Sequence, residues 1–206
     1  LDLRDYAACA QYFANAGADV VVHAAGKVGG IAANVADPVG FLVENVDLGR
    51  NVILAASEAG IPRLLNLASS CMYPADVDAP LREDMLLTGP LEPTNEGYAL
   101  AKLYAAKLCE YVSRAVPGRA YRTLVPCNLY GRHDEFDPRS SHLVPAIVRK
   151  VHEARASGAQ HVEIWGDGRA RREFMYAGDL AEFVFLALER FDALPAMMNV
   201  GVGEDL

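Results

Sequence analysis

Leu64-Leu65-Asn66-Leu67-Ala68-Ser69-Ser70-Cys71-Met72-Tyr73-Pro74 is an apolar run that breaks into a polar turn closed by proline. A short apolar run bounded by turn residues reads as a strand buried on both faces. Downstream lies Tyr98-Ala99-Leu100-Ala101-Lys102. A tyrosine and a lysine at i and i+4 share one face of a helix, one turn apart. A strand-end serine followed by such a pair suits reduction of a carbonyl by a nicotinamide cofactor. Ser69 would polarise the carbonyl, Tyr98 would donate the proton, and Lys102 would keep Tyr98 acidic. A free phenol has a pKa of about 10, and a neighbouring ammonium is expected to lower it toward the range of a general acid. The bland alternative is an amphipathic helix with an exposed lysine, and the Ser-Ser turn upstream weighs against it.

Outward from that stretch, strands and helices alternate. Helices are expected over 5–16, from Pro38 to about Glu58, from about Asn95 to Val116 with Asn95 as cap, through Ala156 with Ser140 or Ser141 as cap, and from Gly178-Asp179 to about Arg190. Strands are expected over 19–25, from Leu64, over 120–125, over 161–165 and over 198–200, with a glycine-bearing loop over 26–34 and a loop over 74–93. Repeated strand–helix units predict an α/β fold with a doubly wound parallel sheet. Ligands bind beyond the carboxyl ends of such strands. Ala25-Gly26, Ser69-Ser70-Cys71 and Pro126-Cys127-Asn128 are therefore expected on one side.

Of the 206 residues, 52% are hydrophobic and 22% charged, enough apolar surface for a substantial core. The net charge of -8, with no basic stripe, argues against nucleic acid. Cys9, Cys71, Cys109 and Cys127 are scattered without a CxxC, which suits a reducing compartment and argues against zinc or any other metal. No signal peptide or membrane-length apolar run appears, so a cytoplasmic location is expected. The chain opens on Leu1-Asp2-Leu3 without an initiator Met and reads as the interior of a longer protein.

Several segments carry a closer likeness: His23 to Gly30, Ser69 to Pro74, Leu91 to Glu96, Tyr98 to Lys102, Asn128-Leu129-Tyr130-Gly131, Ser141 to Ala146, and Arg172-Glu173-Phe174. On these the chain resembles the GDP-L-fucose synthases, a branch of the extended short-chain dehydrogenase/reductases. The resemblance implies a Rossmann-like sheet lacking its first strands. Residues 1–140 would be the C-terminal portion of the dinucleotide-binding domain. Residues 141–206 would be mainly a substrate-binding region, with a return segment to the sheet. It implies epimerisation at C3 and C5 of GDP-4-keto-6-deoxy-D-mannose and reduction at C4 with NADPH. Its implied catalytic residues are Ser69, Cys71, Tyr98, Lys102 and His142. Asp2, Ala24, Ala25, Lys27, Leu67, Tyr98, Lys102, Pro126, Asn128, Leu129 and His142 would hold NADP. Ser70, Asn128, Arg149, Lys150, Trp165 and Arg172 would hold the substrate. Gly26, Gly97, Cys127 and Lys150 stand where the family commonly has Ala, Pro, Thr and Arg. The glycine-rich phosphate loop would lie before Leu1.

The chemistry can be reasoned separately. A 4-keto group acidifies the C–H bonds at C3 and C5, and inversion takes a base on one ring face and an acid on the other. Cys71 shares the turn of Ser69, and a thiol is a workable base where its surroundings stabilise thiolate. His142, near a helix start, can exchange protons near neutral pH. Lys27 with Gly29-Gly30 is expected either to approach a phosphate or to form a turn. Arg149, Lys150 and Arg172 are candidates to neutralise a pyrophosphate, while Arg169 and Arg171 read as solvated charge. Competing readings are a sugar-nucleotide 4,6-dehydratase, an enzyme of another keto sugar such as a GDP-heptose, and a non-catalytic cofactor-sensing protein. The first expects an Asp-Glu pair where Ser70-Cys71-Met72 stands. The resemblance also implies a homodimer through the helices beginning near Pro38 and Asn95. Phe41, Leu42, Leu48, Leu103, Tyr104 and Leu108 are read as their surplus apolar residues.

Overall fold

The computed structural model describes all 206 residues except Pro138, Trp165, Asp167, Arg169, Ala170 and Leu206. The central sheet runs β1 (Val20–His23), β2 (Arg63–Leu67), β3 (Ala120–Pro126) and β6 (Met197–Val200), all parallel and in that spatial order. A second, two-stranded parallel sheet pairs β4 (Asn128–Tyr130) with β5 (Phe174–Tyr176). The helices are α1 (Tyr6–Ala16), α2 (Ile31–Ala36), α3 (Pro38–Glu58), α4 (Glu96–Ala115), α5 (Leu143–Ser157) and α6 (Ala177–Glu189).

Local chemistry sets the helix ends. Asp5 accepts from the Ala8 amide at 3.2 Å and starts α1. Asp37 accepts from the Gly40 amide at 2.9 Å, with Pro38 in the first turn of α3. Gly17 ends α1 and Gly158 ends α5, both in the left-handed conformation.

Alternation along the strands feeds two cores. Leu64 and Tyr121 point into the face packed by α1, α3 and α4, with Cys9, Ile53, Ala56 and Cys109. Leu65 and Leu124 point into the opposite face, packed by α6 through Leu180, Ala187 and the following Phe191. Helices on both faces of a parallel sheet make the doubly wound α/β architecture. Removing a buried Leu from such a core costs about 2–5 kcal/mol. A Cβ on Gly49 would lie 2.9 Å from the Ala105 Cβ, so glycine lets α3 and α4 meet closely.

Several expectations need correction. The 26–34 loop contains the start of α2, and Asn34 within that helix donates back to the Gly29 carbonyl at 2.8 Å. Ser140 and Ser141 do not cap α5; His142 is its N-cap residue and makes no side-chain capping bond. Asn95 likewise stands at the cap of α4 without a capping bond. Residues 161–164 form no strand, and Trp165 lies outside the described residues. β4 and β5 were not foreseen: three residues are too few to show a period. Phe41 and Leu103 are buried within their own chain, so they are not surplus. The exposed apolar residues of α3 and α4 are Val39, Val43, Leu100, Tyr104 and Tyr111.

Candidate active site

β2 ends at Leu67, and the chain turns through Ser69 into a single 3-10 turn, Ser70–Met72. The Ser69 hydroxyl accepts from the Cys71 amide at 3.5 Å, which folds the thiol back beside the serine. Helix α4 crosses this turn, with Leu103 and Ala106 packed on Met72 and Tyr73. That packing places Tyr98 and Lys102 over the strand end. Lys102 is 8% exposed, and its ammonium donates to the Leu67 carbonyl at 3.0 Å. Lys102 Nζ lies 5.7 Å from the centre of the Tyr98 ring, and Phe41 meets that ring edge-on at 6.5 Å. The Ser69 hydroxyl is near enough to the Tyr98 phenol and the Cys71 thiol to favour the charged form of both. Ser69, Cys71, Tyr98 and Lys102 therefore form one cluster.

The electrostatics differ from the expectation that Lys102 acidifies Tyr98. Burial pushes the Tyr98 phenol well above its ordinary range; the Cys71 thiol adds to the rise and the Ser69 bond opposes it. Burial also pushes the Cys71 thiol up to about 11, against the Ser69 bond and the Lys102 charge. Lys102 itself is held below the usual ammonium value by burial. Desolvation outweighs the ammonium because the cation faces Leu67 O and the phenol sits deep in the cleft. At neutral pH Tyr98 and Cys71 both carry their protons.

Two further features were not singled out from sequence. His23, the last residue of β1, is 5% exposed, and burial, helped by the Lys102 charge, pulls its imidazole down to about 4. A cavity of about 230 Å³ beside Tyr98 is lined by Asn34, Phe41, Asn95 and Gly97 among others. The Asn34 and Asn95 side-chain oxygens are buried and unpartnered among the described residues. A lone histidine in an apolar strand and single asparagines in a helix or loop carry no periodic signal.

At the carboxyl end of β1, an open cleft of about 540 Å³ is lined by Asp2, Arg4, Ala25, Gly26, Lys27, Glu44 and Leu48 with Leu1 and Leu3. Asp2, Ala25 and Lys27 of the expected cofactor set thus share one cleft, while Ala24 is exposed next to it. Arg4 holds the Asp2 carboxyl low, at about 2. Lys27 pairs with Asp37 at 2.8 Å and Glu44 at 2.7 Å. A Cβ on Gly26 would lie 3.4 Å from Lys102 Nζ and 3.3 Å from Asn45 Oδ1, so glycine keeps the cleft floor open beside the lysine. The cleft has Asp2, an acidic residue suited to ribose or adenine donors, on one side and Gly26, whose neighbour is the Lys102 ammonium, on the other, and this lining fits a nicotinamide dinucleotide.

The remaining expected residues spread outward. Pro126 is buried at the end of β3, and Leu129 packs against the α6 core. Asn128 is exposed and donates to Glu173 O at 3.0 Å. Ser70 is half-buried in the 3-10 turn. Arg149 is committed to Glu153 at 2.6 Å and to Phe136 O at 2.8 Å. Lys150 donates to Glu163 O at 2.9 Å, and Arg172 to Arg171 O at 2.7 Å. The three cations thus have separate local partners. Within Arg-Glu-Phe, Glu173 has a clear role: its Oε1 accepts from the Gly203 amide at 2.7 Å, tying β5 to the chain beyond β6. Gly29-Gly30 contacts the segment before His142, as Gly30 N–H donates to Ser140 O at 2.8 Å.

Comparison with known proteins accords with this arrangement. The chain is 53% identical over 205 residues to a GDP-L-colitose synthase of Yersinia pseudotuberculosis, covering all of this chain and 67% of that protein. It is 53% identical over 206 residues to a GDP-L-fucose synthase of Azorhizobium caulinodans, covering all of this chain and 66% of the relative. Among solved structures, a GDP-L-fucose synthetase of Naegleria fowleri bound to NADP superposes with a TM-score of 0.85 at 27% identity, over 99% of this chain and 66% of that one. The chain thus spans about two thirds of the length of these relatives. Residues 1–201 match the NAD dependent epimerase/dehydratase family, and the chain belongs to that family.

Proposed function

We propose that this chain carries the catalytic cluster of an NADP-dependent epimerase–reductase that converts GDP-4-keto-6-deoxy-D-mannose to GDP-L-fucose. The observation that carries the reading is the Ser69/Cys71/Tyr98/Lys102 cluster at the end of β2, which joins a reductase's proton donor to a thiol in one turn. NADPH supplies the hydride for C4 when bound; Asp2, Ala25 and Lys27 would hold it in the cleft at β1. Ser69 would hydrogen-bond the C4 oxygen, and Tyr98, protonated at neutral pH, would give that oxygen its proton. Lys102 would restore the proton to Tyr98. For each epimerisation, the minor thiolate form of Cys71 would take the C–H proton, leaving an enolate on the C4 oxygen, His142 would return a proton to the opposite face, and both groups would exchange protons with solvent before the next inversion. Arg149, Lys150 and Arg172 would meet the pyrophosphate once released from their present partners.

A second reading differs only in the sugar, a GDP-L-colitose product, and is favoured by the equal 53% identity to the Yersinia protein. The intact enzyme, incubated with NADPH and a panel of GDP-keto sugars with products identified by NMR, separates the two. GDP-L-fucose formation supports the first reading, and turnover of none of the sugars would refute both. We further propose a homodimer through α3 and α4, whose Val39, Val43, Leu100, Tyr104 and Tyr111 remain exposed, and a cytoplasmic location consistent with four unpaired cysteines. Residues 141–206 would form mainly the substrate-binding region. No helix among the described residues is long and apolar enough to cross a membrane.

A further inference from the structure

Residues 26–30 run from beside Lys102 to the segment before His142, and the backbone of Lys27, Gly29 and Gly30 is held by hydrogen bonds. At one end a Cβ on Gly26 would stand 3.4 Å from Lys102 Nζ. Next, Asn45 on α3 grips Lys27 from both sides: its Oδ1 accepts the Lys27 amide at 2.8 Å, and its Nδ2 donates to the Lys27 carbonyl at 3.0 Å. Then Asn34 on α2 donates to Gly29 O at 2.8 Å and Gly30 O at 3.1 Å. Both asparagine side chains are 5% exposed, so an unmade bond at either would leave a polar group largely shielded from water. At the far end Gly30 N–H donates to Ser140 O at 2.8 Å, and a Cβ on Gly30 would stand 2.5 Å from Ser141 O. His142 follows directly.

We propose that Gly26–Gly30 is a rigid spacer that sets the distance of His142 from the Ser69/Cys71/Tyr98/Lys102 cluster, with Gly30 and Asn34 as positioning residues for the protonating histidine. Only glycine permits the Ser140–Ser141 backbone to seat on residue 30. Displacing that seat moves His142 while leaving the cluster on β2 and α4 in place. The proposal rests on the epimerase–reductase reading above.

The consequence is specific. With His142 displaced, Cys71 can still remove the substrate C–H proton. The proton then returns from the same thiol on the same face, exchanged with solvent but without inversion. The test uses the intact enzyme with GDP-4-keto-6-deoxy-D-mannose in deuterated water, following deuterium wash-in and inverted product separately by NMR. Gly30→Ala should lower inversion relative to wash-in by at least about tenfold, the lower end of what loss of a general acid costs being 10²-fold for complete removal. KM for the sugar and for NADPH should stay within about threefold. Asn34→Ala, which adds no atom to the seat, should shift the ratio in the same direction by a smaller factor and serves if Gly30→Ala does not fold. An unchanged inversion-to-exchange ratio in the folded variants, or equal loss of both, would overturn the spacer. Wild-type enzyme that neither exchanges protons nor oxidises NADPH would overturn the functional reading, and the spacer with it.

Discussion

The cluster at the end of β2 and the cationic region of α5 and β5 are held in opposite ways. Lys102 is 8% exposed and donates to a strand carbonyl, and α4 packs Met72 and Tyr73 beneath it. Arg149 and Glu153 are exposed partners four residues apart, and Arg172 caps its own neighbour's carbonyl. Moving any group of the cluster disturbs the core, whereas the cations can exchange partners at little cost, since exposed pairs contribute about 0–1 kcal/mol. The first region is built to hold reacting atoms still. The second holds its charges in exposed local pairs.

The largest effect expected from this contrast is at Tyr98. Tyr98→Phe keeps the ring against Phe41 but removes the proton, and NADPH oxidation should fall about 10²–10⁴-fold while substrate proton exchange continues. Loss of both by equal factors would mean that the tyrosine is structural. Next comes pH. Because burial raises the Cys71 thiol to about 11, the thiolate fraction grows about tenfold per unit between pH 7 and 9, and the wild-type exchange rate should follow it. A flat profile would show that the base titrates elsewhere.

His23 offers a third break in the comparison, this time on stability. Its native pKa, near 4, lies below the unfolded value of about 6.5, so the unfolded chain binds the extra proton between them. The His23 contribution is fully present above about pH 6.5 and is lost as the pH falls toward 4, up to about 3 kcal/mol. Chemical denaturation at pH 7 and pH 4.5 should show that slope, and His23→Gln should flatten it. The smallest effect is in the cationic region. Arg149→Ala should change stability by less than about 1 kcal/mol and raise the substrate KM about tenfold with kcat nearly unaltered, a loss of uniform binding. A fall in kcat of that size would move Arg149 into the reacting machinery.

How much of this was legible follows from range. The Leu64–Pro74 stretch and the Tyr98/Lys102 pair are local patterns, and period and turn chemistry suffice to place them on a strand end and a helix face. The four parallel strands follow from the same alternation. What sequence could not show is mostly non-local. Asn34 and Asn45 look like ordinary helix residues until the backbone of 27–30 is folded against them. Gly29-Gly30, which the sequence leaves open between a phosphate approach and a turn, meets Ser140, more than a hundred residues away, and no period encodes that contact. The Tyr98 shift also escaped, because charge proximity is readable from i, i+4 spacing but depth of burial is not.

The division of labour within the cluster has its most direct test at Cys71. Cys71→Ser keeps the shape of the turn and leaves Ser69, Tyr98 and Lys102 untouched, yet a hydroxyl is far less acidic than a thiol. In the intact enzyme in deuterated water, this variant should lose wash-in at C3 and C5 by about 10²–10⁴-fold while still reducing the unepimerised ketone slowly with NADPH. Wash-in at both carbons at the wild-type rate would mean that another group removes the protons, and would contradict the assignment.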